Sequence, residues 1–267
     1  MVSYKLLGPL TVDRAEGFAV SPSAPKLRQL LALLLFNANQ PVAVSQIVEE
    51  LWGEQVPRQS VLTVRTYICH LRKLISDSTD STEFLATVPS GYLLRVEPGE
   101  LDVQRFDGLR ESGQTLMEAG QYDLAAVEFR AALAMFRGPV LVDVDPGLVL
   151  RPFVVRVEED RRSVRAMRIQ ADFALGRHRE LVGELTSITL THPLDEWAHA
   201  RLMEALSETG RRGEALAVYR GLRAMLDREL GVEPGPELQR LQQDILSVGQ
   251  PPTEAPTQRA TRIVRVV

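Results

Sequence analysis

The segment 57–94 constrains the fold of this chain more than any other part of the sequence. From Gln59 to Ile75, apolar residues recur every three or four positions, which is typical of a helix with one buried face. Every charged residue between Gln55 and Ser76 is basic, namely Arg58, Arg65, Arg72 and Lys73. A polar loop, 77–81, separates this helix from two strand-like runs on either side of Pro89-Ser90-Gly91. The segment therefore predicts a basic helix followed closely by a β-hairpin.

The region before the basic helix predicts short strands and two more helices. Residues Tyr4 to Val20 alternate loosely and contain Gly8-Pro9, which favours short antiparallel strands. Pro25 is expected to begin a helix with leucines on one face. Ser45 is expected to N-cap a second helix, with help from Glu49, and Gly53 to end it. Three helices and a hairpin in this order predict a winged helix-turn-helix, which is a DNA-binding arrangement.

The outward face of the basic helix is the candidate DNA-reading surface. A helix turns by about 100° per residue, so its residues divide into a core face and an opposite face. The core face is expected to hold Val61, Val64, Ile68, Leu71 and Ile75, and the opposite face Leu62, Thr63, Thr66, Cys69, His70 and Lys73. Arg65 and Arg72 lie on one flank. Central side chains of such a helix can read base edges while flanking arginines bind phosphates.

Individual residues on this face suit particular contacts in the major groove. Thr66 is suited to a thymine methyl group, and His70 or Lys73 to the acceptors of a purine. The pattern alone leaves a second interpretation equally open, in which the helix is amphipathic, solvated and basic without contacting DNA.

Further candidates lie outside the basic helix. Lys26 and Arg28 can contact the backbone of the duplex, although solvation is the ordinary role of surface cations. Trp52 can donate its indole N–H to a phosphate, although core packing is commoner for a lone tryptophan. Ser90-Gly91 is expected at the tip of a wing, with the glycine supplying a tight turn. Tyr92 is expected to be a core anchor.

Beyond Pro98-Gly99, which marks the expected domain boundary, the chain is helical in pattern and contains repeats. Gly176 and Gly210 are 34 residues apart, which is the period of the tetratricopeptide repeat. A first copy begins at Gly120 and is followed by an insertion, 138–160, with three prolines. The end of the chain, 249–267, reads as a tail with little core of its own. The three sets of recurring positions are Gly120, Tyr122, Ala125, Phe129 and Ala132; Gly176, His178, Leu181 and Leu185; and Gly210, Ala215, Tyr219 and Leu222.

Composition narrows the class of protein. The net charge of −4 disfavours a nucleic-acid partner at first sight. Most carboxylates lie beyond Pro98, however, so the total charge hides a locally basic surface at the helix 59–75. A single cysteine, Cys69, and the lack of a signal peptide or long apolar run favour a cytoplasmic protein without disulfides. Phosphate-binding loops, catalytic signatures and zinc patterns are absent, so we expect no enzyme, no cofactor and no metal.

The order of motifs resembles the Streptomyces antibiotic regulatory protein family over about residues 1–247. Each motif is weak alone, and the set is specific. The motifs are Leu7-Gly8-Pro9-Leu10, Lys26–Leu34, Leu51-Trp52-Gly53, Val64–Arg72, Thr87–Leu94, Leu101–Phe106, His192–Glu196, Leu202–Leu206, Gly210–Leu216 and Leu230–Pro234.

The resemblance implies a mainly α fold with a small β part. An OmpR-type winged helix-turn-helix over 1–97 would precede an all-α, tetratricopeptide-like bacterial transcriptional activation domain over 98–248, with a flexible tail over 249–267. The family's proteins look like activators of secondary-metabolite gene clusters, located at the nucleoid. They bind direct repeats upstream of a promoter as side-by-side protomers and recruit RNA polymerase through its sigma and alpha or beta subunits.

Carried over by position, residues 63–73 become the base-reading helix and Trp52 and Arg72 become backbone contacts. The wing around Ser90 would approach the minor groove. The expected DNA-binding set is Lys26, Arg28, Trp52, Arg58, Thr63, Arg65, Thr66, Tyr67, His70, Arg72, Lys73 and Ser90.

Two positions depart from the family pattern. Val88, Pro89 and Ser90 replace the arginine common in OmpR-type wings, which shifts the expected sequence reading to the helix. Phe136-Arg137-Gly138 replaces the usual Trp-Arg-Gly and still supplies an aromatic anchor.

No receiver domain precedes the DNA-binding part and no nucleotide- or phosphopeptide-binding module follows, so the small form of the family is expected. Two alternative functions stay open: a protein-interaction adaptor that has lost DNA binding, and a regulator with a small molecule in the groove of its C-terminal helices.

Overall fold

The computed structural model describes residues 2–13, 19–75 and 84–247. The chain divides into two compact units, the first ending at Leu175 and the second beginning at Gly176. The polar loop predicted at 77–81 and the tail predicted at 249–267 lie outside the described residues. The domain limits at 97 and 248 stay predictions, since the division into compact units falls elsewhere.

The first unit opens with a winged-helix arrangement built around two small antiparallel sheets. The first sheet has the strand order β1-β2-β3, and the second the order β4-β6-β5. Three helices lie between and around the strands. The elements are β1 (Ser3–Lys5), β2 (Thr11–Asp13), β3 (Ala19–Val20), α1 (Pro25–Phe36), β4 (Val42–Ala43), α2 (Val44–Trp52), α3 (Ser60–Ile75), β5 (Leu85–Val88) and β6 (Gly91–Leu94).

Leucine-rich α1 supplies the centre of the winged-helix core. Residues 30–35 are all buried, so α1 is covered on several sides and not along a single stripe. Pro25 begins the helix as predicted, because its fixed φ suits the first turn and its missing N–H is not needed there. On α3, Val64, Ile68 and Leu71 are buried against this core. Their burial leaves the opposite face of α3 outward.

Two details of the helices differ from prediction. The residue that caps α2 is Ala43 and not Ser45, which is exposed one position inside the helix. The Ala43 N–H donates to Gln46 Oε1 at 3.1 Å, so a glutamine in the first turn replaces the expected serine cap. Val61 was expected in the core but is 49% exposed, because it lies in the first turn of α3 at the margin of the buried sector. Gly53 ends α2 as predicted.

Three long helices complete the first unit. They are α4 (Asp102–Glu118), α5 (Tyr122–Ala134) and α6 (Arg151–Ala174). Within the segment 138–160, predicted to be an insertion between repeats, Arg151 begins α6 and Pro152 occupies its first turn. The predicted aromatic anchor, Phe136, packs edge-on against Phe106 at 5.1 Å between ring centroids, and the Arg161 guanidinium lies 4.3 Å from its ring centre.

The second unit is helical throughout its described part. It contains α7 (His178–Thr191), α8 (Glu196–Glu208), α9 (Arg212–Leu230) and α10 (Pro236–Ser247). The predicted repeat glycines, Gly120, Gly176 and Gly210, follow the ends of α4, α6 and α8 with φ of 71°, 71° and 78°. Each lets the chain turn sharply into the next helix, where a side chain would be strained. No helix within the described ranges is both long and apolar enough to span a membrane.

A buried carboxylate connects α2 to the loop before α6. Glu50 is 2% exposed, and its carboxylate accepts hydrogen bonds from the backbone N–H groups of Gly147, Val149 and Leu150 at 2.6, 2.9 and 2.8 Å. The Gln29 side-chain amide on α1 donates a further bond to it at 2.9 Å. This carboxylate therefore provides the acceptor for the backbone N–H groups of the loop that enters α6, and it fixes that loop on the helix-turn-helix.

A second buried carboxylate, Asp102 at the start of α4, connects the N-terminal strand region to the helical part. It accepts from the N–H groups of Leu6 and Leu7 at 2.9 and 3.0 Å. Burial raises the pKa of Asp102, and these backbone hydrogen bonds partly offset that rise. Arg28 on α1 adds an ion pair with Asp143 at 3.1 Å. The winged helix and α4–α6 are thus packed as one unit.

Glu50→Ala is expected to destabilise the first unit by about 3–5 kcal/mol, because it leaves several buried N–H groups without an acceptor. Urea unfolding should be followed by Trp52 fluorescence in a Trp197→Phe background, which confines the tryptophan signal to the first unit. Glu49→Ala, at the exposed neighbouring position, serves as the control and should change stability by less than about 0.5 kcal/mol. Equal effects of the two variants would contradict the assigned role of Glu50.

Candidate nucleic-acid interface

The outward face of α3 carries most of the predicted DNA-binding residues. Leu62, Thr66, Cys69 and His70 are exposed along it, and Thr63 and Tyr67 are partly buried at its margins. The structure thus brings together the residues that sequence periodicity assigned to this face.

Basic residues border this face. Arg58 is exposed just before α3, and Arg65 and Lys73 are exposed on the helix. None of the three forms an ion pair with another described residue, and the stretch 55–75 contains no carboxylate. The local charge is therefore positive although the net charge of the chain is −4. A basic rim around an outward helix is suited to phosphate groups on either side of a groove.

Two threonine hydroxyls on α3 are bound to the helix itself. Thr63 Oγ1 donates to the Gln59 carbonyl at 3.1 Å, and Thr66 Oγ1 donates to the Leu62 carbonyl at 3.2 Å. Such back-bonding is common for threonine inside helices. The hydroxyl groups are thereby engaged, and the methyl group is the part of each side chain without a polar partner.

Arg72 joins α3 to the wing. Its Nε and Nη2 donate to the Leu85 carbonyl at 2.9 and 2.8 Å, and Nη2 also donates to Thr87 Oγ1 at 2.9 Å. The resemblance gave Arg72 a contact with the DNA backbone, whereas its guanidinium here holds β5 against α3. A phosphate contact by Arg72 stays a prediction, and the wing contact is what sequence reasoning missed.

The wing is the hairpin of β5 and β6, with exposed Pro89 and Ser90 at its tip. The role expected for Gly91 is corrected: it lies in β6, where it pairs with Ala43, and not at the tip. A Cβ at Gly91 would lie 2.0 Å from the Val42 carbonyl oxygen, so the close approach of β4 requires a glycine there. Tyr92 is 7% exposed, which confirms it as a core residue.

The contacts of Lys26, Arg28 and Trp52 are with residues that do not belong to the outward face of α3. Lys26 Nζ donates to the Leu51 carbonyl and to Gln29 Oε1, and Arg28 is paired with Asp143. Trp52 is half-buried and packs against the core. These contacts fix α1, α2 and the loop 139–150 together; contacts of the three residues with a duplex stay predictions.

No cluster of three or more metal-ligating side chains occurs among the residues that the structure describes.

Known proteins share both the domain order and the fold of this chain. Residues 21–94 match the family described as transcriptional regulatory protein, C terminal, and residues 101–246 match the bacterial transcriptional activator domain. The regulatory protein DnrI of Streptomyces peucetius is 41% identical over 92% of this chain and 92% of its own length. The regulatory protein AfsR of Streptomyces coelicolor is 37% identical, and the match covers 91% of this chain but 24% of AfsR.

A solved structure extends the comparison to the fold. Mycobacterium tuberculosis EmbR in complex with a low affinity phosphopeptide superposes with a TM-score of 0.85 at 33% identity, covering 94% of this chain and 66% of EmbR. The predicted fold class, mainly helical with an N-terminal winged helix, is thereby confirmed.

An OmpR-type DNA-binding domain followed by a bacterial transcriptional activator domain defines a transcriptional regulator. The chain belongs to the Streptomyces antibiotic regulatory protein family, as its motifs predicted.

Arg72→Ala is expected to loosen the wing, because three charge-assisted hydrogen bonds are lost. Amide hydrogen exchange in peptides covering 84–95 should accelerate about tenfold, which corresponds to roughly 1.4 kcal/mol of local stability. Lys73→Ala removes the adjacent exposed cation and is the control, with exchange in the wing unchanged. Wing exchange that is the same in both variants would show that Arg72 does not hold β5.

Proposed function

We propose that this protein activates transcription by binding direct repeats upstream of a promoter through α3 and recruiting RNA polymerase. The observation that carries the proposal is the outward face of α3, which combines exposed side chains of base-reading type with a basic rim and no carboxylate. An interaction adaptor has no physical reason to exclude acid from this face, whereas a phosphate backbone repels acid there.

In this proposal α3 lies in the major groove. The outward residues between Thr63 and Lys73 face the base edges, with His70 and Lys73 near purine acceptors. Arg58 and Arg65 contact phosphates on the rims of the groove. Ser90 at the wing tip approaches the minor groove. Lys26, Arg28, Trp52 and Tyr67 complete the proposed interface toward the DNA backbone.

Activation is assigned to the helical part of the chain. Two protomers pair side by side on the repeats, and their activation domains contact the sigma subunit and the alpha or beta subunit of RNA polymerase. The contacts of Glu50 and Asp102 support this arrangement, because they fix α4–α6 on the winged helix and so give these three helices a defined position relative to the DNA. Since the chain belongs to the Streptomyces antibiotic regulatory protein family, we assign the regulated genes to a secondary-metabolite cluster. Promoter binding implies a location at the nucleoid.

The direct test is selection of bound DNA from a random pool with the full chain, followed by transcription in vitro from the recovered site with purified polymerase. A repeated motif, and polymerase recruitment that depends on it, are expected. Recovery of no enriched sequence would reject sequence-specific binding and favour the adaptor. Enrichment without recruitment would reject activation alone.

Thr66→Ala and His70→Ala are expected to change base preference at single positions of the recovered site, by about 1–3 kcal/mol per lost contact. The measurement is a competition assay against every single-base variant of the site. Thr186→Ala is the matched control, because Thr186 is an exposed threonine on α7 with the same back-bonding to a helix carbonyl, at 2.7 Å. An unchanged preference in either α3 variant would remove that residue from the reading set.

Truncations separate binding from activation. A fragment ending at Glu97 is expected to bind DNA without activating transcription, but it lacks Asp102 and the loop that Glu50 binds. A fragment ending at Leu175 keeps these contacts, so it should bind the same site more stably and still fail to activate. Full activation by the longer fragment would exclude the second unit as the polymerase-contacting part.

A further inference from the structure

The centre of the outward face of α3 is apolar and not basic. At about 100° per residue, Leu62, Thr66, Cys69 and Lys73 fall within a stripe about 60° wide. This stripe lies opposite the buried side chains of Val64, Ile68 and Leu71. Three of its four positions, from the first turn of the helix to the third, carry an aliphatic, methyl or thiol group. We call these three residues, Leu62, Thr66 and Cys69, the apolar stripe.

Leu62 is the largest side chain of the apolar stripe, and it is 57% exposed. A single exposed leucine is ordinary on a protein surface and needs no explanation. Leu62 differs because it lies at the middle of the face that the proposed function directs into the major groove. An aliphatic side chain at that place gains free energy only by burying apolar groups of its partner.

The other members of the apolar stripe also present no polar group outward. Thr66 Oγ1 is bound to the Leu62 carbonyl at 3.2 Å, so its Cγ2 methyl group is the side-chain atom left for contact. Cys69 is exposed and carries a thiol, which is only a weak hydrogen-bond donor. The apolar stripe thus offers almost no hydrogen bonds to base edges.

The arginines that could read guanine directly are placed elsewhere. Arg65 lies about 60° from Leu62 around the helix, on the flank. Arg72 is occupied by the Leu85 carbonyl and the Thr87 hydroxyl of the wing. Bidentate arginine contacts to guanine, the commonest specific contact in the major groove, are therefore not available from the centre of α3.

We infer that Leu62, together with the methyl group of Thr66, reads thymine by contact with its C5-methyl group, so that Leu62 is a principal specificity-determining residue of this protein. The thymine methyl is the one apolar group that the unmodified base pairs present in the major groove. The ligand class of the apolar stripe is accordingly a run of T·A pairs at the centre of each half-site. The basic rim and Lys73 supply affinity around it. This inference rests on the proposed binding of DNA by α3.

The test is a thymine-to-deoxyuridine scan of the site that the full chain selects. Deoxyuridine keeps every hydrogen-bonding group of thymine and removes only the methyl group. At contacted thymines, each replacement should weaken binding of the wild-type protein about three- to fivefold, as expected for the burial of one methyl group. Thymines outside the contacted step should show no effect, and affinities should be measured at one fixed salt concentration.

Variants identify which side chain meets which methyl group. Leu62→Ala should abolish the effect of deoxyuridine at one position, and Thr66→Ser, which removes only Cγ2 and keeps the back-bonded hydroxyl, should abolish it at another. Thr66→Val keeps a methyl group and should retain the effect. Thr186→Ser is the matched control, because Thr186 has the same back-bonding but lies on α7, outside the proposed interface. It should leave the whole scan unchanged.

The outcomes separate the inference from the proposed function. Failure of the wild-type protein to bind any selected DNA rejects both. Specific binding without a deoxyuridine-sensitive thymine, or a site without thymines at its centre, rejects the inference and leaves DNA binding intact. Sensitivity that persists equally in Leu62→Ala and Thr66→Ser also rejects it. Loss of sensitivity at separate positions in these two variants supports it.

Discussion

The first unit depends on one buried carboxylate, that of Glu50, which accepts hydrogen bonds from several N–H groups. An isolated carboxylate in a protein interior is strongly unfavourable, and hydrogen bonds from the backbone at the start of a helix are among the few arrangements that compensate it. Here the backbone donors come from the loop 147–150 and the side-chain donor from Gln29, and both bring different elements to the end of α2. Because the carboxylate needs all of these partners at once, α1, α2 and the start of α6 have one favourable arrangement.

This constraint has a consequence for α3. The core face of α3 packs on α1 and α2, and Arg72 fixes the wing to its last turn. The proposed reading helix, the wing and α4–α6 are thus positioned by a continuous set of buried or partly buried contacts. Because α4–α6 are held in this way, no flexible linker separates the proposed reading helix from the first helices of the activation domain.

The periodicity of apolar residues and the turn-forming residues were sufficient to predict the helices and strands, but they did not predict the tertiary contacts. The buried face of α3, the end of α2 at Gly53 and the repeat glycines follow from local rules, since each depends on residues a few positions apart. The predicted cap of α2 was wrong. Serine is the commoner capping residue, but in this helix a glutamine at the third position accepts the hydrogen bond from the capping residue, Ala43. The roles of Glu50 and Asp143 had no local signal. Their partners are about 100 residues away for Glu50 and 115 for Asp143, and a carboxylate in a helix or a loop reads as a solvated one.

The division between an apolar centre and a basic rim on α3 separates two requirements of DNA recognition. Contacts with phosphates provide affinity that is independent of sequence and falls with salt, whereas contacts with base edges provide discrimination that is nearly independent of salt. The net charge of −4 does not oppose this arrangement, because the screening length at physiological salt is only about 8 Å and the outward face of α3 carries no carboxylate. A chain that is acidic in total can therefore bind a polyanion at one face. Because apolar contacts act only at short range, Leu62 gains free energy in the proposed complex only where it lies beside a base that carries a methyl group.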